Sequence, residues 1–207
     1  SMWYETTPRQ IVSALAILNM SGVSSVHVSM TDPDYGLVYD KTFDFPRIQG
    51  QSSWHSWFFG KRTAKKDFNT IGLPSYPNAT VRVEISGIAE IAVGVILLGE
   101  QFSFGEGVRR GMRLGIKDYS RKETDQWGET VFQQRAFSKT RSSNITIRNS
   151  QLDEVEQFLT SIRATPVLWV TSQRYDAPNV YGWYSSFEIL LEYVNHSTCS
   201  IDIEGLS

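Results

Sequence analysis

The sequence predicts a mainly β protein, a jelly-roll-like β-sandwich followed by a small α+β module. Three observations carry that reading. From residue 9 to residue 99, short apolar or alternating runs are separated by turn clusters every 8 to 15 residues, the rhythm of a sandwich or jelly roll. Beyond Gly99 the order becomes strand, one amphipathic helix and three further strands, a pattern in which the helix covers one sheet face. Between the apolar blocks lies Ile116 to Lys139. There Lys117, Asp118, Arg121, Lys122, Glu123 and Asp125 fall within nine positions, yet Tyr119, Trp127 and Phe132 are kept. A flexible linker has no use for such aromatics, so this stretch reads as an ordered, charge-dense connector. The expected domains are 1–104 and 105–207, with the connector 116–139 inside the second.

Taken in order, Ile11 to Leu18 is an apolar run short enough for a buried strand, although its Ala and Leu content also suits a helix. Val26, Val28 and Met30 alternate with Ser25, His27 and Ser29, as in a half-buried strand. Thr31-Asp-Pro-Asp-Tyr-Gly36 is turn chemistry, and Leu37 to Phe45 supplies the return strand of a hairpin. Val81, Val83 and Ile85 alternate with Arg82 and Glu84, and Ile91 to Leu98 reads as one fully buried strand. Gln101 to Gly115 is rich in Gly and Arg, but no Gly-Lys-Ser/Thr ends it, so it is not a phosphate-binding loop. Phe137 to Ile147 is predicted as a strand with Ile145 and Ile147 on one face. Ser150-Gln-Leu-Asp153 resembles a capping box. Leu152, Val155, Leu159 and Ile162 then fall on one face of a helix that Pro166 stops. Val167 to Val170, Val180 to Tyr193 and Thr198 to Ile203 complete the chain as strands.

Composition excludes several function classes. With 41% hydrophobic and 13% aromatic residues in 207, the chain has material for real cores, and a net charge of −2 gives no general attraction to nucleic acid or anionic membrane. No apolar run approaches the roughly 20 residues of a membrane-spanning helix. The opening Ser-Met reads as an expression scar, with no secretory signal, which leaves room for a longer parent protein. Cys199 cannot form an internal disulfide as the one cysteine, and its alternating surroundings make it a small core hydrophobe. Four Asn-x-Ser/Thr sequons, at Asn19, Asn78, Asn144 and Asn195, imply nothing without a secretory route.

Several segments carry a resemblance. Ile116-Lys-Asp-Tyr-Ser-Arg-Lys-Glu-Thr-Asp-Gln-Trp-Gly128, Arg135-Ala-Phe-Ser-Lys139, Arg163-Ala-Thr-Pro-Val-Leu-Trp169, Tyr181-Gly-Trp-Tyr184 and Cys199-Ser-Ile-Asp-Ile-Glu-Gly-Leu206 resemble segments of tailed-bacteriophage virion proteins encoded among tail genes. Val28-Ser-Met-Thr-Asp-Pro33 and Val38-Tyr-Asp-Lys-Thr-Phe43 extend the resemblance over most of the chain. It implies a tail or baseplate context, with the virion as location and other copies and other tail proteins as partners. The second block is also similar, in element order, to the β-rich fold of phage tail-tube and distal-tail proteins, and the first to galactose-binding-like jelly rolls. Both are fold-level analogies.

Among candidate sites, Trp54, Trp57, Phe58 and Phe59 form the densest aromatic cluster. Core packing outweighs a sugar-stacking platform there, because aromatics are the largest core residues. Tyr35, at a turn, is the better exposed ring. Asp32 and Asp34 are a turn before they are a Ca²⁺ site, which needs more oxygens. Glu123 with Asp125 resembles a carboxylate pair, but an ion-paired connector is the simpler reading. His27, His55 and His196 have no metal-ligand spacing. The expectation is a structural protein with no catalytic residues, cofactor or metal. Asp118, Tyr119, Arg121, Lys122, Glu123, Asp125 and Trp127 would form subunit contacts. The alternative is a module binding host-surface glycan through Tyr35, Trp54 and Trp57.

Overall fold

The computed structural model describes residues 1–45, 54–55, 65–124, 127–172 and 177–206. The chain divides into two compact units, Ser1–Phe102 and Ser103–Ser207.

The first unit is a β-sandwich. Strands β1 (Met2–Thr6), β6 (Thr80–Ala92), β3 (Ser21–Asp32) and β4 (Gly36–Asp44) lie in that order in one sheet, and β5 (Phe68–Ile71), β2 (Ala14–Leu18) and β7 (Val95–Gly99) form the other. All pairings are antiparallel. Successive strands change sheet at every step except the β3–β4 hairpin, a jelly-roll-like alternation. The period-two pattern dictates the core: Val26, Val28 and Met30 of β3 and Val81, Val83 and Ile85 of β6 point inward against Leu15, Ile17 and Phe68 of the second sheet. Each such burial contributes about 1.5–3 kcal/mol. Phe43 and Phe45 add ring contacts to Phe68 at 4.8 and 5.3 Å. The ambiguous run near Ile11 resolves as the central strand β2, because its hydrogen bonds are used on both sides.

The predicted hairpin is present, and its turn is held by Asp32. The nearly buried carboxylate accepts the N–H groups of Asp34 and Tyr35 at 2.9 and 3.2 Å, the side-chain turn that Asp favours. Ile91 to Leu98, by contrast, is not one buried strand. β6 ends at Ala92, the chain turns at Val93 and Gly94 into the other sheet, and no residue of the run is fully buried. Gly94 donates its N–H to Leu18 O at 3.1 Å, and a Cβ there would lie 2.8 Å from Asn19 Cβ. The close approach selects glycine and breaks the strand.

In the second unit, one antiparallel sheet runs β13 (Val167–Trp169), β14 (Val180–Leu190), β15 (His196–Gly205) and β12 (Phe137–Arg148). The far side of β12 is shared by β8 (Gly107–Val108) and β9 (Arg113–Asp118). Helix α1 (Leu152–Ser161) buries Val155 and Leu159 in one cluster with Ile145, Ile147, Cys199, Ile201 and Ile203. Cys199 is fully buried and burial pushes its thiol up to about 11, so it stays a protonated core residue.

The predicted capping box is not formed. Gln151 holds the N-cap position without a side-chain bond, because a 3₁₀ turn over Asn149–Gln151 precedes α1 and takes Ser150 out of the capping position. Asn149 anchors the entry instead, donating from Nδ2 to Tyr193 O and Val194 O at 2.9 and 2.8 Å. Asp153 and Glu154 in the first turn complement the helix dipole. At the other end the Tyr184 hydroxyl donates to Leu159 O at 2.7 Å, satisfying one of the carbonyls a helix end leaves open.

Truncation should report this packing. Leu159→Ala is expected to cost about 2–5 kcal/mol, whereas Glu156→Ala, on the exposed face, should stay within about 0.5 kcal/mol. Urea denaturation of the full chain followed by far-UV circular dichroism checks both.

Candidate functional site

The predicted connector is a β-ribbon. β9 pairs with the start of β12, from Asp118 opposite Phe137 to Arg113 opposite Ser142. Beyond that sheet edge the same two chain directions continue as β10 (Arg121–Thr124) and β11 (Thr130–Gln133), with Arg121 opposite Gln133 and Thr124 opposite Thr130. The two ladders differ in register by one residue, and Tyr119 N–H to Ala136 O at 3.2 Å bridges the shift. From Tyr119 to Thr124 the ribbon reaches roughly 17 Å at strand rise. Among the described residues no third strand joins β10 and β11, and every residue of both is exposed.

Local chemistry explains why these residues form a ribbon. Thr130, Val131 and Phe132 are strong strand formers. Cross-strand and same-face pairs satisfy the charges: Arg121 Nε lies 3.1 Å from Glu123 Oε1, and Lys122 Nζ sits 5.8 Å over the Phe132 ring opposite it. Near the tip, Gly128 takes φ of +81°, a left-handed conformation that only glycine adopts without strain.

Two clamps fix the root. Asp118 Oδ1 accepts the N–H and hydroxyl of Ser120 at 2.9 and 2.6 Å, and the Ser120 hydroxyl oxygen in turn accepts Arg135 N–H at 3.0 Å. Glu204 on the neighbouring β15 accepts Lys117 Nζ at 3.0 Å and the Tyr119 hydroxyl at 2.9 Å. The Ser120 bonds hold the Asp118 carboxyl below its ordinary value of 3.8. Those from Lys117 and then Tyr119 hold Glu204 below 4.5, and Glu204 raises Lys117 above 10.5. The signs define a window. A lowered carboxylate stabilises above its unfolded pKa and loses that contribution as pH falls through the folded value. The raised lysine stabilises below its unfolded pKa and loses its contribution as pH rises through the folded one. The root is therefore intact across neutral pH and loosens toward both extremes.

The ribbon brings together most of the residues expected at a contact: Asp118, Tyr119, Arg121, Lys122, Glu123 and Trp127. Asp125 lies outside the described residues. Their roles differ, since Asp118 and Tyr119 are root residues whereas Trp127 is 83% exposed at the tip. Sequence reasoning singled out Phe132 but did not place Val131, Leu114, Ile116 or Phe137 at a contact. Phe132 is 73% and Val131 63% exposed, and Leu114, Ile116 and Phe137 are exposed on one face of the β9–β12 pairing. Isolated apolar residues among charges carry no periodic signal of burial or exposure, so nothing in the pattern marked these as surface.

The glycan candidates are placed apart from this ribbon in the chain. Tyr35 is 74% exposed at the β3–β4 turn with its ring 5.6 Å from Tyr76. Trp54 is 80% exposed, so this one ring of the cluster is not core. Trp57, Phe58 and Phe59 lie outside the described residues. His27 stands between Asp40 at 2.6 Å and Glu84 at 3.8 Å, and His196 Nε2 lies 3.3 Å from Glu106. No group of three or more His, Cys, Asp or Glu among the described residues is arranged to hold a metal ion.

No protein-family model matches the chain, and no curated protein matches it.

The clamps make a direct prediction. Glu204→Gln removes the acceptor charge from Lys117 and Tyr119, so the Tyr119 amide should exchange with deuterium several-fold faster at neutral pH while amides in β14 stay protected. Unchanged exchange at Tyr119 would show that Glu204 does not hold the root.

Proposed function

We propose that this protein is a structural subunit of a bacteriophage tail or baseplate and acts by assembly, with the ribbon of residues 113–139 docking onto a second copy of the chain. The observation that carries the proposal is the exposed two-stranded extension with Phe132, Val131 and Trp127 on its surface. A two-stranded ribbon is marginally stable in water, and large exposed apolar side chains in one segment mark contact surfaces. A neighbour that covers the ribbon would bury these groups and pair its free strand edges. The residue-level resemblance to tail proteins is densest in this segment and in the carboxy-terminal half, which supports a virion setting with other tail proteins as further partners. Arg121, Lys122 and Glu123 would set register, since interface charges contribute specificity more than affinity. The reading involves no catalysis, cofactor, nucleic acid or membrane insertion.

Reversing Arg121 and Lys122 to Glu should leave the isolated fold intact, because both side chains are exposed, while abolishing incorporation into particles. Normal incorporation of the double variant, or absence of the protein from purified virions, would contradict the proposal.

A second reading, contact with host-surface glycan, is favoured by the exposure of Tyr35 and Trp54. Aromatic faces pack against the apolar faces of sugar rings. On that reading Tyr35→Ala and Trp54→Ala each abolish glycan-array binding without changing the circular dichroism spectrum, and an array blank for the unmodified protein removes it.

A further inference from the structure

Arg141 lies within β12 with 4% of its surface exposed. It shares a face with Ser143, Ile145 and Ile147, the face that α1 covers. Its Nη1 donates to the Thr171 hydroxyl and to Pro178 O, the latter at 3.0 Å. Both acceptors are neutral. No carboxylate among the described residues pairs with the guanidinium. Its Nε–H has no acceptor, and the hydroxyl of Ser143, next along the same face, is also buried without a partner. Across the ladder from Arg141 and Ser143 stand Ile203 and Ile201, both buried.

Burial pushes the Arg141 pKa down to about 10, which leaves it a cation at neutral pH. A cation taken out of water and given only neutral acceptors is costly, because hydrogen bonds satisfy donors without supplying counter-charge. Unpartnered buried polar atoms are few in folded proteins, and here two of them are neighbours on one strand face. An ordered water between them would accept from Nε but leave the charge uncompensated. An acceptor carrying negative charge meets both needs, and the buried Ile201 and Ile203 across the ladder offer it no competing donor.

We propose that Arg141 and Ser143 form an internal binding site for a small monoanion of the halide or formate class, which accepts from Arg141 Nε–H and the Ser143 hydroxyl. The bound anion supplies a counter-charge that the described residues do not. It also secures the guanidinium that joins β12 to Thr171, after β13, and to Pro178, before β14. This inference does not depend on the assembly reading, since it concerns the interior of the second unit.

The test is thermal unfolding of the full chain in sodium chloride, formate or gluconate at matched ionic strength, from millimolar to a few hundred millimolar. A ligand that binds only the folded state raises Tm with its concentration. Chloride or formate should raise Tm by several degrees over gluconate, the bulky reference anion, and the salt that acts identifies the source. Arg141→Met should lose the difference. If that variant does not fold, Ser143→Ala, which removes only the hydroxyl, should shift the salt response to higher concentration. Crystals grown in bromide should show an anomalous peak in hydrogen-bonding range of Arg141 Nε. Equal Tm in all three salts, or a water at Nε with no bromide there, overturns the proposal.

Discussion

Every N–H and C=O along a strand needs a partner or water, and in the second unit that requirement converges on β12. One side of this strand is bonded to β15 from Thr140 to Arg148. The other is bonded to β9 from Phe137 to Ser142 and to β8 at Ile145 and Thr146. With both edges engaged, β12 can place Ile145 and Ile147 under α1 with certainty of register, since a one-residue slip would turn them to the opposite face. The ribbon follows from the same pairing. β9 reaches Asp118 while hydrogen-bonded to β12, and the chain continues outward in that direction as β10.

The two ends of this pairing have opposite energetics. At the helix end, Val155, Leu159, Ile147 and Ile201 are fully enclosed, and the ladder is supported by apolar burial. From Tyr119 to Ala136 every described residue is exposed, and order rests on the Asp118–Ser120–Arg135 and Lys117–Glu204–Tyr119 contacts at the root. Exposed polar contacts of this kind contribute little each. They orient the ribbon better than they stabilise it, which suits a segment whose remaining stability comes from a neighbour.

Much of the fold was legible in the sequence because burial writes periodicity. Val26, Val28 and Met30, the Val81–Ile85 alternation and the Leu152–Ile162 helix face all lie where their spacing places them, and Asp32 makes the turn its chemistry favours. The misses have physical reasons. Ile91 to Leu98 is apolar throughout, so composition concealed the turn that Gly94 imposes between sheets. Ser150 and Asp153 have capping-box spacing, but the 3₁₀ turn ahead of α1 displaces the cap. Arg121 to Gln133 lacks an apolar alternation because both faces of the ribbon are wet, so its order was legible and its strand pairing was not. Arg141 reads as one more exposed charge in Ser-Lys-Thr-Arg-Ser-Ser. Its burial depends on Thr171 and Pro178, 30 and 37 residues away in sequence, and no local pattern announces it.

On the proposed assembly, the ribbon of residues 113–139 is completed by a second copy. Hydrogen–deuterium exchange of the protein in isolation and in purified particles tests it most directly. Amides of Arg121–Thr124 and Thr130–Gln133 should exchange rapidly in the isolated chain and become strongly protected in the particle, while protection in β14 and β15 is high in both. Equal, rapid exchange of the ribbon in both states would contradict it.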